Sequence, residues 1–416
     1  MSVPVPAGRG RWRLTLHNRQ FTTTPLGPGA TGVAELIDAR SRRLDQVWNQ
    51  AAQVSFTIDG RSQSALEIRE LQHDVIAWRW DETRGADVPM FYGLISQAED
   101  ELTEQSHVVN FTCHDYLAML ARRYWTRPTP INFTQTDQDD IAATLVGYGA
   151  VQAAAGDGTD LGPGSYLPIR LTTVGPDGRS RPPSGQIRDR SYLGNQEILA
   201  AVDDLANVVG GFDYDYYAGD LLTWGRGAFR NFYPAQGVTR ADMALVYGSN
   251  VAALTRTVNS SDYANYVRLL GNNGNSDQTA AQLYADIWNG DATSGTAGAV
   301  GLWMDADSAA DVNQQATLNE QAAGTLALKG ILIPSYTVTL KPDTYRLGFP
   351  NMGDTVPLVI QSGRLNVNTT VRVLGISYDI GDDGQEDVSL TVGRPAVTLA
   401  HILIDNRNDI DALARR

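Results

Sequence analysis

A single cysteine, Cys113, stands in 416 residues, so no disulfide can form within the chain and no zinc site can be built from paired cysteines. Lysine is almost as scarce, with only Lys329 and Lys341. There are 33 basic residues against 47 acidic ones, a net charge of −14. That balance lacks the clustered cations with which proteins grip nucleic-acid phosphates. The five histidines (His17, His73, His107, His114 and His401) show neither HxH nor HExxH spacing, so the common metal-site patterns are missing too. No apolar run approaches the roughly 20 residues that span a bilayer. The N-terminal MSVPVPAGRGRWRL has no apolar core of a signal peptide, and the expectation is a protein made and folded in a cytosol.

What is present belongs to a folded chain of about three domains by length. Hydrophobic residues make up 42% and charged residues 19%, ordinary values for a globular protein. Strand patterns dominate. QVSFTID (53–59) alternates Val54, Phe56 and Ile58 with polar partners and ends at Asp59-Gly60, the pattern of a half-buried strand. Similar runs at 74–80, 90–96 and 107–113 predict a meander-like sheet. From Pro128 the composition changes, and the Gly/Pro-rich stretches between 147 and 190 read as a long exposed loop. Ile198, Val202, Leu205 and Val209 recur at helical spacing before Gly210-Gly211, and the aromatic run after them predicts a hairpin turning at 218–220. A helix is expected from about Ala309 to Leu328, capped by Asp307 or Ser308. Strand patterns at 331–340, 353–360, 370–380 and 386–393 form a second all-β block. The expected fold is mainly β with an inserted α+β section.

The constellations that could carry chemistry weaken on inspection. Cys113-His114-Asp115 contains three residues used in nucleophilic catalysis, but neighbours on a strand point to opposite faces. Asp115 is placed as the N-cap of the helix that begins at Tyr116. GPGATG (27–32) matches a dinucleotide-loop pattern yet lacks the surrounding βαβ unit and the acid about 20 residues on. Asp305, Asp307 and Asp311 are spaced somewhat like calcium ligands, without the central glycine and terminal glutamate of an EF-hand loop. Asp382, Asp383, Glu386 and Asp387 fall at a turn, where solvated acids normally sit. No catalytic, cofactor-binding or metal-binding residue is assigned, and no cofactor is expected.

The pieces together resemble the tail hub proteins of long-tailed phages, the baseplate-hub or tail-associated minor tail proteins. VVNFTCHDYLAMLARRYW (108–125) is similar to the strand, Asp cap and short helix near the end of that family's first barrel, and SRRLDQVWNQAAQVSFTIDG (41–60) to the start of its first sheet. MGDTVPLVIQSG, RVLGISYDI and VSLTVG are similar to the close of its second barrel. The likeness spans about 60% of the chain, at its two ends, and its motifs are not catalytic.

That resemblance implies two β-barrel domains with a small α+β domain inserted. The expected division is a first barrel over 1–125, the insertion over 126–245, a return segment and helix over 246–330, a second barrel over 331–395 and a C-terminal tail helix over 396–416. It further implies a non-enzymatic siphovirus virion protein at the tail tip. Three copies would form a homotrimeric ring of six barrels beneath a hexameric partner. The implied partners are the distal tail or tail tube protein, the tape measure protein and other minor tail or receptor-binding proteins. DNA would pass through during genome ejection without specific binding, along a wall where Asp and Glu outnumber Arg. Arg122 and Arg123 are expected at subunit contacts. Two alternatives remain: a β-rich polysaccharide-binding or polysaccharide-degrading protein that uses the 8 tryptophans and 17 tyrosines, and a hexameric distal tail ring protein.

Overall fold

A computed structural model of the chain describes residues 11–19, 32–127, 129–151, 166–174, 178, 183–192, 194–207, 210–271, 283–290, 300–309, 315–332, 334–342 and 344–393. Most of GPGATG, Asp311 and the tail 396–416 lie outside them. The described residues fall into two compact units, the larger within Met1–Ala206, Gly210–Thr255 and Thr337–Val392, the smaller within Arg256–Tyr336.

Period-two burial builds the larger unit. Gln53–Asp59 buries Val54, Phe56 and Ile58, and His107–Asp115 buries Val109, Phe111 and Cys113. The two strands pair antiparallel with Phe56 opposite Phe111, the rings stacked 5.3 Å apart. Each such side chain contributes about 1.5–3 kcal/mol on burial. A slip of one residue would turn the whole set to solvent, which fixes the register. The sheet is not the simple meander that the strand spacing predicts. His73–Asp81, Ala86–Leu102 and His107–Asp115 follow one another, but Gln53–Asp59 pairs with the preceding Arg40–Val47 and skips the following His73–Asp81 to pair with His107–Asp115.

The two strand blocks expected as barrels are both present, and they share one curled thirteen-stranded sheet. Leu365–Ile380 of the second block pairs antiparallel with Arg40–Val47 of the first, Gly375 opposite Val47 and Ile380 opposite Arg42. The second block continues through Glu386–Gly393 and Ser335–Leu340 to Val251–Thr257, with Thr355–Ser362 branching from Leu365–Ile380.

Between the blocks lies the α+β section. The stretch read as loop between 147 and 190 holds the end of a helix, Gln138–Val151, and two strands, Ile169–Val174 and Ile187–Tyr192. The helix is hard to see in sequence because it is apolar on most sides and contains two glycines. One of them, Gly149, lets the helix approach Leu120 and Ile198, where an added Cβ would come within 3.0 and 3.3 Å. Ile198, Val202 and Leu205 are buried as their spacing predicts, on a helix that ends at Ala206. The strands Asp213–Tyr217 and Gly227–Phe232 pair antiparallel, with the turn at 218–220 extended by a short helix, Leu221–Trp224. Their core also takes in Tyr116, Leu117 and Leu120 from the capped helix Tyr116–Leu120.

The smaller unit packs one helix on a three-stranded sheet. Tyr266–Gly271 is the central strand, flanked antiparallel by Tyr284–Trp288 and parallel by Met304–Ala309. The helix is described over Gln315–Lys329, and Ala309, expected at its start, ends the strand Met304–Ala309 instead. MDADSA, read as its cap region, is an edge strand whose apolar content is too low to reveal it. Val267, Leu269 and Ala285 meet Leu318 and Ala322 in the core.

Candidate functional site

The Cys-His-Asp stretch separates as strand geometry requires. Cys113 is fully buried, and burial pushes its thiol pKa up, away from the reactive thiolate. His114 points to the other face, where its Nδ1 lies 2.7 Å from Ser96 Oγ. The Asp115 carboxylate accepts the N–H of Leu117 at 2.9 Å, as an N-cap, and the N–H of Ala52 at 2.8 Å. Burial raises its pKa to about 8 against the pull of those donors. Cys113→Ala is therefore expected to fold, with a stability loss of about 1 kcal/mol read from an unfolding curve. An unchanged unfolding curve would contradict a packing role for the thiol.

The other acidic groups also have local duties. Asp305 is engaged by Lys329 at 2.7 Å, and Asp307 accepts the N–H of Ser308. Asp383 accepts the N–H of Gln385 across the turn. Among the described residues no group of three His, Cys, Asp or Glu side chains could hold a metal. An open groove of about 760 Å3 near this turn is lined by Arg13, Arg40, Arg42, Asp38, Asp382 and Asp383 among others. Its aromatic, Trp12, is only 3% exposed and offers no open ring on which a sugar could stack.

Glu386 departs from the expectation of a solvated turn acid. It alternates in phase with Val388, Leu390 and Val392 on the buried face of its strand, and its carboxylate meets the fully buried Arg79 of the first block. Arg79 Nε donates to Oε2 at 2.9 Å, Arg79 Nη2 to Oε1 at 2.5 Å, and Trp12 Nε1 to Oε2 at 2.6 Å. Burial alone would pull the Arg79 pKa down, but Glu386 holds it above its ordinary value. Tyr378 closes the cluster, its ring 5.2 Å from Trp12 and its hydroxyl 2.8 Å from that of Tyr345. Residues 307 positions apart are thus joined by a charge-assisted, bidentate contact, which fixes geometry as well as energy.

A second joint ties the α+β section to the second block. Arg372 donates to Asp213 and, at 2.8 Å, to the carbonyl of Gln236. Asp354 accepts Val238 N–H at 2.8 Å, Asn351 N–H at 2.9 Å and Arg240 Nε at 2.9 Å. The backbones cross at Gly237 and Gly353, both at positive φ. The first block is held to the same section by Asn49, whose side chain accepts the N–H of Tyr214 at 2.8 Å.

A further buried acid lies on the strand His73–Asp81. Asp74 is 1% exposed and accepts the hydroxyls of Tyr116 at 2.8 Å and Tyr92 at 3.3 Å. Its Oδ1 has no hydrogen-bond partner among the described residues, so ionisation would leave a charged oxygen without solvent. Burial accordingly raises the pKa from 3.8 to about 7. Between those values the folded chain keeps a proton that the unfolded chain has released, so this group's effect on stability becomes less favourable as pH rises from about 4 to about 7. Asp74→Asn is expected to flatten the pH dependence of the melting temperature across that window. Parallel curves for mutant and wild type would rule out a titrating Asp74.

No family model matches the chain, and no curated protein matches it in sequence. Two solved structures are similar along nearly its whole length. A tail protein from Neisseria meningitidis MC58 has a TM-score of 0.56 at 12% identity, covering 94% of this chain and 98% of its own. The 43 kDa tail protein of prophage MuSo2 from Shewanella oneidensis has a TM-score of 0.56 at 12% identity, covering 92% and 99%. The fold is that of phage tail proteins.

Proposed function

We propose that this chain is a structural, non-enzymatic hub of a phage tail tip, acting as a homotrimeric ring between the tail tube or distal ring and the tip. The observation that carries this reading is the agreement of one architecture, two strand blocks fused through a shared sheet, with tail proteins over more than nine-tenths of both chains. Three copies of a two-block chain present six similar domains, so a threefold ring can meet a sixfold one. The joints at Glu386 and Asp213 serve that geometry, since a ring subunit must hold its two blocks at one angle. The distal tail or tube protein, the tape measure protein and other minor tail or receptor-binding proteins are the partners in this reading, with Arg122 and Arg123 at subunit contacts. A net charge of −14 suits a wall that lets DNA pass without holding it. Imaging of labelled tails tests the reading: density with threefold symmetry at the tip is expected. A hexamer would point to the distal ring instead, and a location away from the tail would overturn the reading.

A further inference from the structure

The first block meets the α+β section through one face of the strand His73–Asp81. Asp74, Ile76 and Trp78 alternate on that face, and Ile76 and Trp78 pack in the core that holds Ile141, Leu145, Val202 and Tyr214. The Asp74 Oδ2 accepts hydroxyls from both sides of this seam: Tyr92 of the neighbouring strand Ala86–Leu102, and Tyr116, the first residue of the capped helix enclosed by the α+β core. The rings carry the contact inward, Tyr92 to Tyr116 at 5.3 Å and Tyr116 to Tyr216 of Asp213–Tyr217 at 5.9 Å. The Oδ1 is enclosed and has no hydrogen-bond partner among the described residues, so a charge there would meet neither water nor a donor. The surrounding groups do little to offset it. Tyr216 and the buried Cys113 are neutral, and His17, opposite Asp74 in register, has its Nε2 2.8 Å from Thr15 Oγ1. The cation whose charge reaches Asp74 is Arg19, which lies 5.9 Å from the Tyr116 ring centroid and donates to the Leu71 carbonyl at 3.2 Å. The other acid of the seam, Asp115, differs in having an N–H donor on each oxygen, from Leu117 and from Ala52.

We infer that Asp74 is a proton latch on the α+β section: with its proton it seats the helix Tyr116–Leu120 on the sheet, and without it that section opens locally and lets water reach the carboxylate. The strand His73–Asp81 is itself pinned on both edges, by Trp12–Asn18 and by Ala86–Leu102. The helix side is therefore the side that yields. The direction with pH follows from linkage. The closed state keeps the Asp74 proton up to about pH 7, whereas an open, solvated carboxyl releases it near its ordinary 3.8, so opening becomes easier as pH rises between those values and levels off above them. The latch is a property of the fold and holds whether or not the chain forms a ring.

Amide hydrogen exchange of the full chain tests the latch, read peptide by peptide at several pH values, corrected for intrinsic exchange, and compared with Asp74→Asn, a neutral side chain of the same shape. From about pH 5 to about pH 7, wild type is expected to lose protection relative to Asp74→Asn by about tenfold or more in peptides covering Tyr116–Leu120, Ile198–Ala206 and Asp213–Tyr217. Peptides from Thr355–Ser362 and Glu386–Gly393 in the second block should keep a constant ratio. Comparing the two proteins at each pH cancels what Asp115 and other groups contribute. Tyr116→Phe removes a donor that favours the charged form, so its loss of protection should continue to higher pH than in wild type; this variant carries the test if Asp74→Asn does not fold. A constant ratio of wild type to Asp74→Asn at every pH overturns the inference, as does a Tyr116→Phe profile equal to wild type. Equal changes in the second-block peptides would also overturn it, because the opening would then be global.

Discussion

Glu386→Ala is expected to destabilise the larger unit by about 3–5 kcal/mol, because it strips the partner from a guanidinium with no access to water. Arg79 side-chain exposure is 0% and that of Glu386 is 2%. The remaining acid nearby, Glu82, reaches only Arg79 Nη1, at 3.7 Å. Trp12 Nε1 would lose its acceptor as well. Against a total stability of roughly 5–15 kcal/mol, the loss should lower the melting temperature by on the order of 10 °C. Glu386→Gln keeps the shape and one acceptor and should lie between. The paired change Arg79→Met with Glu386→Leu should recover much of the loss, since a well-packed apolar pair avoids the desolvation cost of both ions. A Glu386→Ala protein that melts within a degree or two of wild type would show that the two blocks do not depend on this contact.

Reading Glu386 as a solvated turn acid missed that contact, although the sequence carried a signal for it. Arg79 falls in phase with Val75 and Ala77, and Glu386 with Val388, Leu390 and Val392. A charge at a core position on each of two strands is the signal of a buried pair, although spacing could not say that the two strands meet. The strands themselves were clear wherever one face is apolar, as at Gln53–Asp59 and Glu386–Gly393, which begin and end where the pattern does. Pairing was not, because the partner of Gln53–Asp59 depends on which apolar face closes on which. Two elements hid for opposite reasons. Gln138–Val151 is apolar nearly all round and so has no amphipathic period. Met304–Ala309 has no large apolar residue after Met304 and is a strand because Tyr266–Gly271 offers it an edge.

Gly237→Ala and Gly353→Ala carry the other large expected effect, at the joint between the α+β section and the second block. Gly237 sits at φ +87 and Gly353 at φ +80, where a side chain costs about 1–2 kcal/mol. Space is the harder limit. A Cβ on Gly237 would lie 2.0 Å from the Gly353 carbonyl carbon and 2.3 Å from Asp354 N, and one on Gly353 would lie 2.3 Å from the Gln236 carbonyl oxygen. These are backbone atoms, and they cannot swing aside as a flexible side chain would. The Asp354 carboxylate holds the Gly237 segment through Val238 and its own segment through Asn351, and Arg372 holds both sides through the carbonyls of Gln236 and Gly353. Overpacking adds about 1–3 kcal/mol to the dihedral cost, so each variant should lose roughly 3 kcal/mol or more. Gly248 separates the two terms, with φ +84 and no atom within 4 Å of an added Cβ; Gly248→Ala should show the dihedral cost alone. Because Gly237 and Gly353 share one crossing, the double variant should cost less than the sum of the singles. Thermal unfolding of the four proteins, with limited proteolysis of the segment around residues 234–241, reads both points. If Gly237→Ala melted with Gly248→Ala and resisted cleavage like wild type, the crossing would have room to spare and the close approach would not hold the joint.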